Sequence, residues 1–434
     1  MATASNSNFR IQITIIGVLF AVFGFVTWLN GTLIPFLKIA CQLTAQQSFY
    51  VATAFFAAYF FLSMPSTFIL KKTGTKLGMA IGLLVMGVGC LIFIPAAQTR
   101  DFNLFLFGLF LQGTGLALLQ TAANPYVSVI GPLESAASRI SIMGICNKTA
   151  GIVANLVFGA TLLSNSEALE KQIAEATDPS VKNLILNDIA SRVVTPYTLM
   201  AAFLGIIAII IMRSSLPDIG QQTSDNEQGD TEITVGKTSI FQFPHTVLGA
   251  LAIFMYVGAE VMAGDLIGVY GKMLGFSPDQ SKYFTSFGLI GLLIGYVLSI
   301  VLIPKFVKQE TWLFVCGVLG IFLALGSYLT EGVTAVTCLA ALGFSNAVMW
   351  PAIFPLGIQK LGRFTNTGSA LLVMGIVGGA IIPPLYGYLY ENNIAGLDFR
   401  SAFLLIMAIC YAYILWYGMT GHKIGLAKSE TVKI

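Results

Sequence analysis

Three ionisable side chains, Lys148, Glu260 and Asp265, stand inside long apolar runs of this chain, together with a scatter of amides and indoles. A carboxylate surrounded by hydrocarbon seeks a proton, a cation or an ion-pair partner, because desolvation disfavours its bare charge. Glu260, in FMYVGAEVMAGD, is therefore read as a group that binds a coupling cation; a fixed salt bridge to Lys148 is the other reading. Lys148, in GICNKTAG, is either its counter-charge or a side chain that snorkels to the membrane surface. Asp265 follows Glu260 by five residues, which sets the two on different faces of an unbroken helix.

The amides point to a polar ligand. Gln112, Gln120 and Asn124 recur at intervals of eight and four residues and fall near one helical face. An unpartnered amide in hydrocarbon costs several kcal/mol, so that face looks into a bundle interior or an aqueous cavity, unless the amides only join helices. Asn30 and Trp28, in VTWLNGTLIP, predict a weakened helix at Asn-Gly where an amide and an aromatic plane meet a sugar-like ligand. Trp28 as an interfacial anchor is the alternative. Asn147 precedes Lys148, and its glycosylation sequon is without meaning inside a membrane span. Asn346 and Trp350, four apart in GFSNAVMWPAIFP, are expected on one face, with the indole a platform for a pyranose ring. Pro383-Pro384 is expected to break its helix and form a gate.

The elements that must position these groups follow from composition. Of 434 residues, 56% are hydrophobic and 10% charged, against about 25% charged in globular chains, so the chain is read as a polytopic membrane protein. Twelve apolar spans are drawn, at 11–38, 46–70, 77–97, 102–131, 137–164, 195–214, 244–274, 279–304, 310–329, 333–359, 365–390 and 399–419. Barrel-type alternation is missing, so the class is all-α integral membrane. With both termini cytoplasmic, the inner side collects fourteen Lys and Arg and the outer side eight, as the positive-inside rule requires. A net charge of +3 gives no reason to expect nucleic acid, and no secretory leader is visible before the first run. Six scattered cysteines, only two histidines and the lack of HExxH or GxSxG motifs leave an enzyme little to work with.

Two soluble stretches interrupt the spans. Residues 165–194 are expected as a short amphipathic helix capping the outer rim, and acidic, aperiodic 215–240 as a cytoplasmic linker. That linker separates a six-helix bundle at 1–214 from a second at 241–434. The two halves repeat: CQLTAQQSFY matches LGFSPDQSKY, Gly113 and Pro125 match Gly343 and Pro355, and Met143-Gly144-Ile145 matches Met374-Gly375-Ile376, at offsets of 233, 230 and 231. Parallel repeats of this kind place a substrate site near mid-bilayer between two pseudo-symmetric bundles that rock about it.

The segment FLFGLFLQGTGLALLQTAANPYVSVIGP at 105–132, with LNGTLIP, LKKTGTKLG and MYVGAE, resembles the fucose–galactose–glucose:proton symporters of the major facilitator superfamily over nearly the whole chain. The resemblance implies a twelve-helix transporter of a bacterial inner membrane that imports a hexose such as glucose, galactose, mannose or fucose with a cation. Where fucose carriers of that family have key acids on the first and fourth helices, this chain has Gly31 and Gln120, and where they have an amide after YVGA it has Glu260. The expectation is that Glu260 holds the coupling ion, a proton or a sodium ion, with Lys148 and Asp265 beside it. Trp28, Asn30, Gln112, Gln120, Asn124, Asn147, Asn346 and Trp350 are the expected sugar contacts. No cofactor beyond the ion and a monomeric state are expected, and an uncoupled facilitator or a non-transporting sugar sensor remain as alternatives.

Overall fold

The computed structural model describes residues 2–129, 136–214, 236–303 and 305–426, so most of the expected linker and the side chain of Pro125 lie outside the described residues. The first half holds α1 (Ala2–Trp28), α2 (Asn30–Ala40), α3 (Ala45–Thr99), α4 (Phe102–Val129), α5 (Ala136–Leu162), α6 (Ser166–Glu175), α7 (Pro179–Ser191) and α8 (Val194–Arg213). The second holds α9 (Pro244–Gly264), α10 (Ile267–Met273), α11 (Pro278–Ser281), α12 (Phe284–Leu302), α13 (Gln309–Leu329), α14 (Gly332–Asn346), α15 (Met349–Gly357), α16 (Thr365–Met374), α17 (Gly378–Glu391) and α18 (Phe399–Met419). Among the described residues, eleven helical stretches are long and apolar enough to cross a membrane. One of them, Gln46–Thr99, has 54 residues and at about 1.5 Å per residue is far too long for a single crossing. Gly74, at φ 77° and ψ 167°, interrupts it in a conformation open only to glycine, so it supplies two crossings and the total is twelve.

The repeat is visible in how the helices meet. Thr44 with Gln47 and Ser277 with Gln280 form capping boxes at equivalent positions. A side chain at Gly113 would run into the carbonyl of Phe55, and one at Gly343 into that of Gly288, which is the equivalent of Phe55 at the offset of 233. The crossing of α1 with α5 puts Gly24 on the Asn147 carbonyl; the equivalent crossing of α9 with α17 puts Gly378 on the Phe254 carbonyl, the glycine having changed sides. Backbones approach this closely only where one partner lacks a side chain, which is how helices pack in a solvent that offers no hydrophobic drive.

Several spans are broken. The first breaks at Leu29, as Asn-Gly predicted: Thr32 N–H turns to the Leu29 carbonyl, and Asn155 of α5 donates to the vacated Trp28 carbonyl at 2.8 Å while accepting from Thr32 Oγ1 at 2.9 Å. The seventh breaks at Asp265–Leu266, where Thr285 Oγ1 donates to the Gly264 carbonyl at 2.9 Å. Side-chain donors from neighbouring helices thus satisfy the carbonyls that each break exposes.

Pro383-Pro384 does not break its helix. Helix α17 runs through both prolines, and the interruption lies earlier, in a 3₁₀ turn at Gly375–Val377. The Ala380 carbonyl, which loses its partner to Pro384, is instead bonded by Thr53 Oγ1 at 2.8 Å. The expected single helix at 165–194 is two, because Asp178 caps a new start with Pro179 at its first position.

Helices α6 and α7 mark one end of the molecule, and there the halves are tied together. Lys272 pairs with Glu170 at 2.6 Å, Ser166 Oγ donates to Asp279 Oδ1 at 3.4 Å, and the Gln46 backbone N–H donates to Glu391 Oε1 at 2.8 Å. Below them a side chain at Gly387 would strike Phe49, and one at Gly379 would strike Phe56.

Candidate functional site

A cavity lies between the two halves, with about 850 Å³ of atom-free space that is partly open to solvent. It runs from Trp28 and Asp265 at the two helix breaks to Ile140, near the start of α5. Trp28, Gln120, Asn124, Asn147, Lys148, Glu260, Asp265 and Trp350 all line it.

The charged groups form one cluster. Lys148 Nζ, on α5, stands 3.2 Å from Glu260 Oε1, on α9, with both side chains nearly withdrawn from solvent. The same ammonium lies over the Trp28 ring at 4.1 Å from its centroid. Lys148 therefore does not snorkel; it is held across the interface between the halves. Asp265 is 2% exposed and its Oδ1 has no hydrogen-bond partner. Asp265 still has helical φ and ψ and its N–H bonds the Val261 carbonyl at 2.9 Å, so it stands about 140° around α9 from Glu260 as the spacing implies; the cavity is broad enough for both to line it.

The polar and aromatic groups are also prearranged. Trp28 Nε1 donates to Asn147 Oδ1 at 3.2 Å, and Asn147 Nδ2 donates to the Phe20 carbonyl at 3.3 Å. Gln120 Nε2 donates to Tyr59 Oη at 3.0 Å. Trp350 stacks on Phe354, with ring centroids 5.4 Å apart and planes 23° apart. Indole faces, amides and a buried charge cluster on one wall are suited to a neutral, hydroxyl-rich ring and a cation.

Three expected contacts are elsewhere. Gln112 is buried against Gly89, between α4 and the second crossing of α3, about 120° around α4 from Asn124. Asn30 is fully buried beyond the first break, with neither side-chain polar atom bonded. Asn346 does not share a face with Trp350, because the helix breaks between them at Ala347–Val348; Asn346 Oδ1 accepts from Tyr411 Oη at 2.9 Å instead. Gly31 packs on Thr285 with no room for a side chain, so an acid at that position is incompatible with this arrangement.

Sequence reasoning passed over Tyr59, Tyr256 and Tyr296, which line the cavity and resemble any other core aromatic in one dimension. It also passed over Asn155, although Asn147 and Asn155 show the same eight-residue spacing as Gln112 and Gln120. Among the described residues no group of three or more His, Cys, Asp or Glu could hold a metal ion.

Comparison with known proteins places this geometry. Residues 16–376 match the model of the Major Facilitator Superfamily. The chain is 35% identical over 427 residues to a glucose/galactose transporter of Brucella abortus, covering 97% of this chain and 96% of that one. It is 30% identical over 415 residues to the L-fucose-proton symporter of Escherichia coli K12, covering 94% and 92%. Its fold matches the crystal structure of a Major Facilitator Superfamily transporter, FucP, in the outward conformation, with a TM-score of 0.74 and 28% identity over 95% of this chain and 99% of that chain.

Proposed function

The chain belongs to the Major Facilitator Superfamily, and on that premise we propose that it imports a hexose together with a cation by alternating access. One observation carries the reading: a cavity between two repeat-related bundles joins amides of the first half and an indole from each half to a buried Lys148–Glu260 pair with Asp265 nearby. Glucose and galactose are the substrates favoured, since those sugars name the transporter that is 35% identical over most of both chains. The sugar ring lies against Trp350 and Trp28, its hydroxyls paired with Gln120, Asn124 and Asn147. The acidic wall takes the coupling cation. Loading it removes a charge that would otherwise have to move through a low-dielectric constriction when the bundles rock.

The α6/α7 end is the outer side in this reading, which leaves the termini cytoplasmic and agrees with the Lys and Arg balance. The arrangement is then the one closed to the outside. The test is uptake of labelled D-glucose and D-galactose by purified protein in proteoliposomes. Accumulation above equilibrium is expected under an inward proton or sodium gradient, and equilibration without accumulation would make the protein an uncoupled facilitator. Saturable sugar binding with no uptake under either gradient would make it a sensor and overturn the proposal.

A further inference from the structure

Within the acidic wall the two carboxylates are not equivalent. Glu260 already has a cation: Lys148 Nζ is 3.2 Å away and is itself fixed by the Trp28 ring. Asp265 is as deeply buried, lines the same cavity, and has an oxygen with no partner. Among the described residues, the other titratable groups on the cavity are Glu260 and Tyr256 from α9, Lys148 from α5, Tyr296 from α12 and Tyr59 from α3. Of these only Lys148 carries positive charge, so one cation faces two carboxylates. The surplus negative charge belongs to the acid that Lys148 does not bind.

We infer that Asp265, rather than Glu260, carries the coupling proton, while Lys148 and Glu260 form a fixed pair that holds the halves in register. This rests on the transport reading above. The step is a simple protonation: the Asp265 carboxylate takes a proton from a hydronium ion in the cavity, leaving water, and returns it to water when the cavity faces the other side. An uncompensated carboxylate buried this deeply is unfavourable, whereas the protonated acid leaves the three-group cluster neutral. The position suits a coupling group for a mechanical reason as well. Asp265 sits at the break between α9 and α10, and Gly264 beside it packs on Trp28, so its charge is set at the point where the broken helices of the two halves touch.

Two measurements test the inference. In proteoliposomes, Asp265→Asn is expected to abolish proton-driven accumulation and sugar-evoked proton uptake, while equilibrium exchange of labelled D-glucose or D-galactose remains measurable, which separates lost coupling from a misfolded carrier. Retained proton-driven accumulation in Asp265→Asn overturns the assignment, and so does wild-type accumulation driven by sodium at constant pH and indifferent to a protonophore. Infrared difference spectra on acidification supply a readout independent of transport. The carbonyl stretch of a newly protonated carboxyl should be lost in Asp265→Asn and kept in Glu260→Gln; the reverse pattern overturns the inference. If Asp265→Asn does not fold, Asp265→Glu replaces it: its band should move in frequency, and an unmoved band overturns the assignment. Failure of the wild type to accumulate sugar under any gradient would remove the transport reading while leaving the infrared assignment to stand or fall on its own.

Discussion

Lys148 decides how the site is charged, and its position between the halves makes it testable. It comes from α5, its carboxylate partner from α9, and its aromatic platform from α1. Removing one member of a buried ion pair leaves an uncompensated charge and typically costs about 3–5 kcal/mol, whereas replacing both with apolar groups is often neutral. Lys148→Met is therefore expected to lower the thermal midpoint of the purified protein markedly, and Lys148→Met with Glu260→Met to restore most of it. A single variant as stable as the wild type would show that the pair is not held in solution. Gln120 offers a contrast, since it carries no charge and its amide is oriented by a hydrogen bond to Tyr59 within the same half.

At the scale of the helix, glycine and broken geometry do the positioning. The Gly24 contact with the Asn147 carbonyl brings α1 against α5 at the level of the site, and the broken helix beyond it presents Trp28 to the cavity. Gly24→Val is expected to prevent folded protein from reaching the membrane, because the collision is with backbone and has no flexible side chain to absorb it. Gly205→Val is the control: nothing lies within 4 Å of an added carbon there, so expression and melting should match the wild type. Equal behaviour of the two variants, scored by size-exclusion profile, would contradict the close crossing. Asn155 plays a related part, since it bonds both the Trp28 carbonyl and Thr32 across the break.

For the whole molecule the question is what holds one end shut. Lys272–Glu170, Ser166–Asp279 and Gln46–Glu391 link the halves at the α6/α7 end, and two of the three links involve α6, a helix outside the membrane core. Removing Lys272 and Glu391 charge together, as Lys272→Gln with Glu391→Gln, should shift the population toward an arrangement open at that end. Spin labels at Glu167→Cys and Asn393→Cys, in a background lacking the six native cysteines, would then give a broader and longer distance distribution. An unchanged distribution would mean that helix packing, with Phe49 and Phe56 on the glycines of α17, closes the end without the polar ties.

Hydropathy and spacing by themselves determined the class, the twelve crossings, the repeat and the charged and amide groups of the cavity lining, because apolar length and the cost of buried polarity are local properties of a sequence. What they could not decide was which polar groups share a surface. Helical periodicity placed Asn346 with Trp350, and that inference failed at the break between them, where a period counted along the chain loses its meaning; it separated Asp265 from Glu260 by angle but could not say that both line one cavity. The breaks persist only because Asn155 and Thr285, remote in sequence, bond the carbonyls they expose. Which acid Lys148 pairs with was decided by tertiary structure alone, since it depends on a contact between α5 and α9 across two halves of the chain.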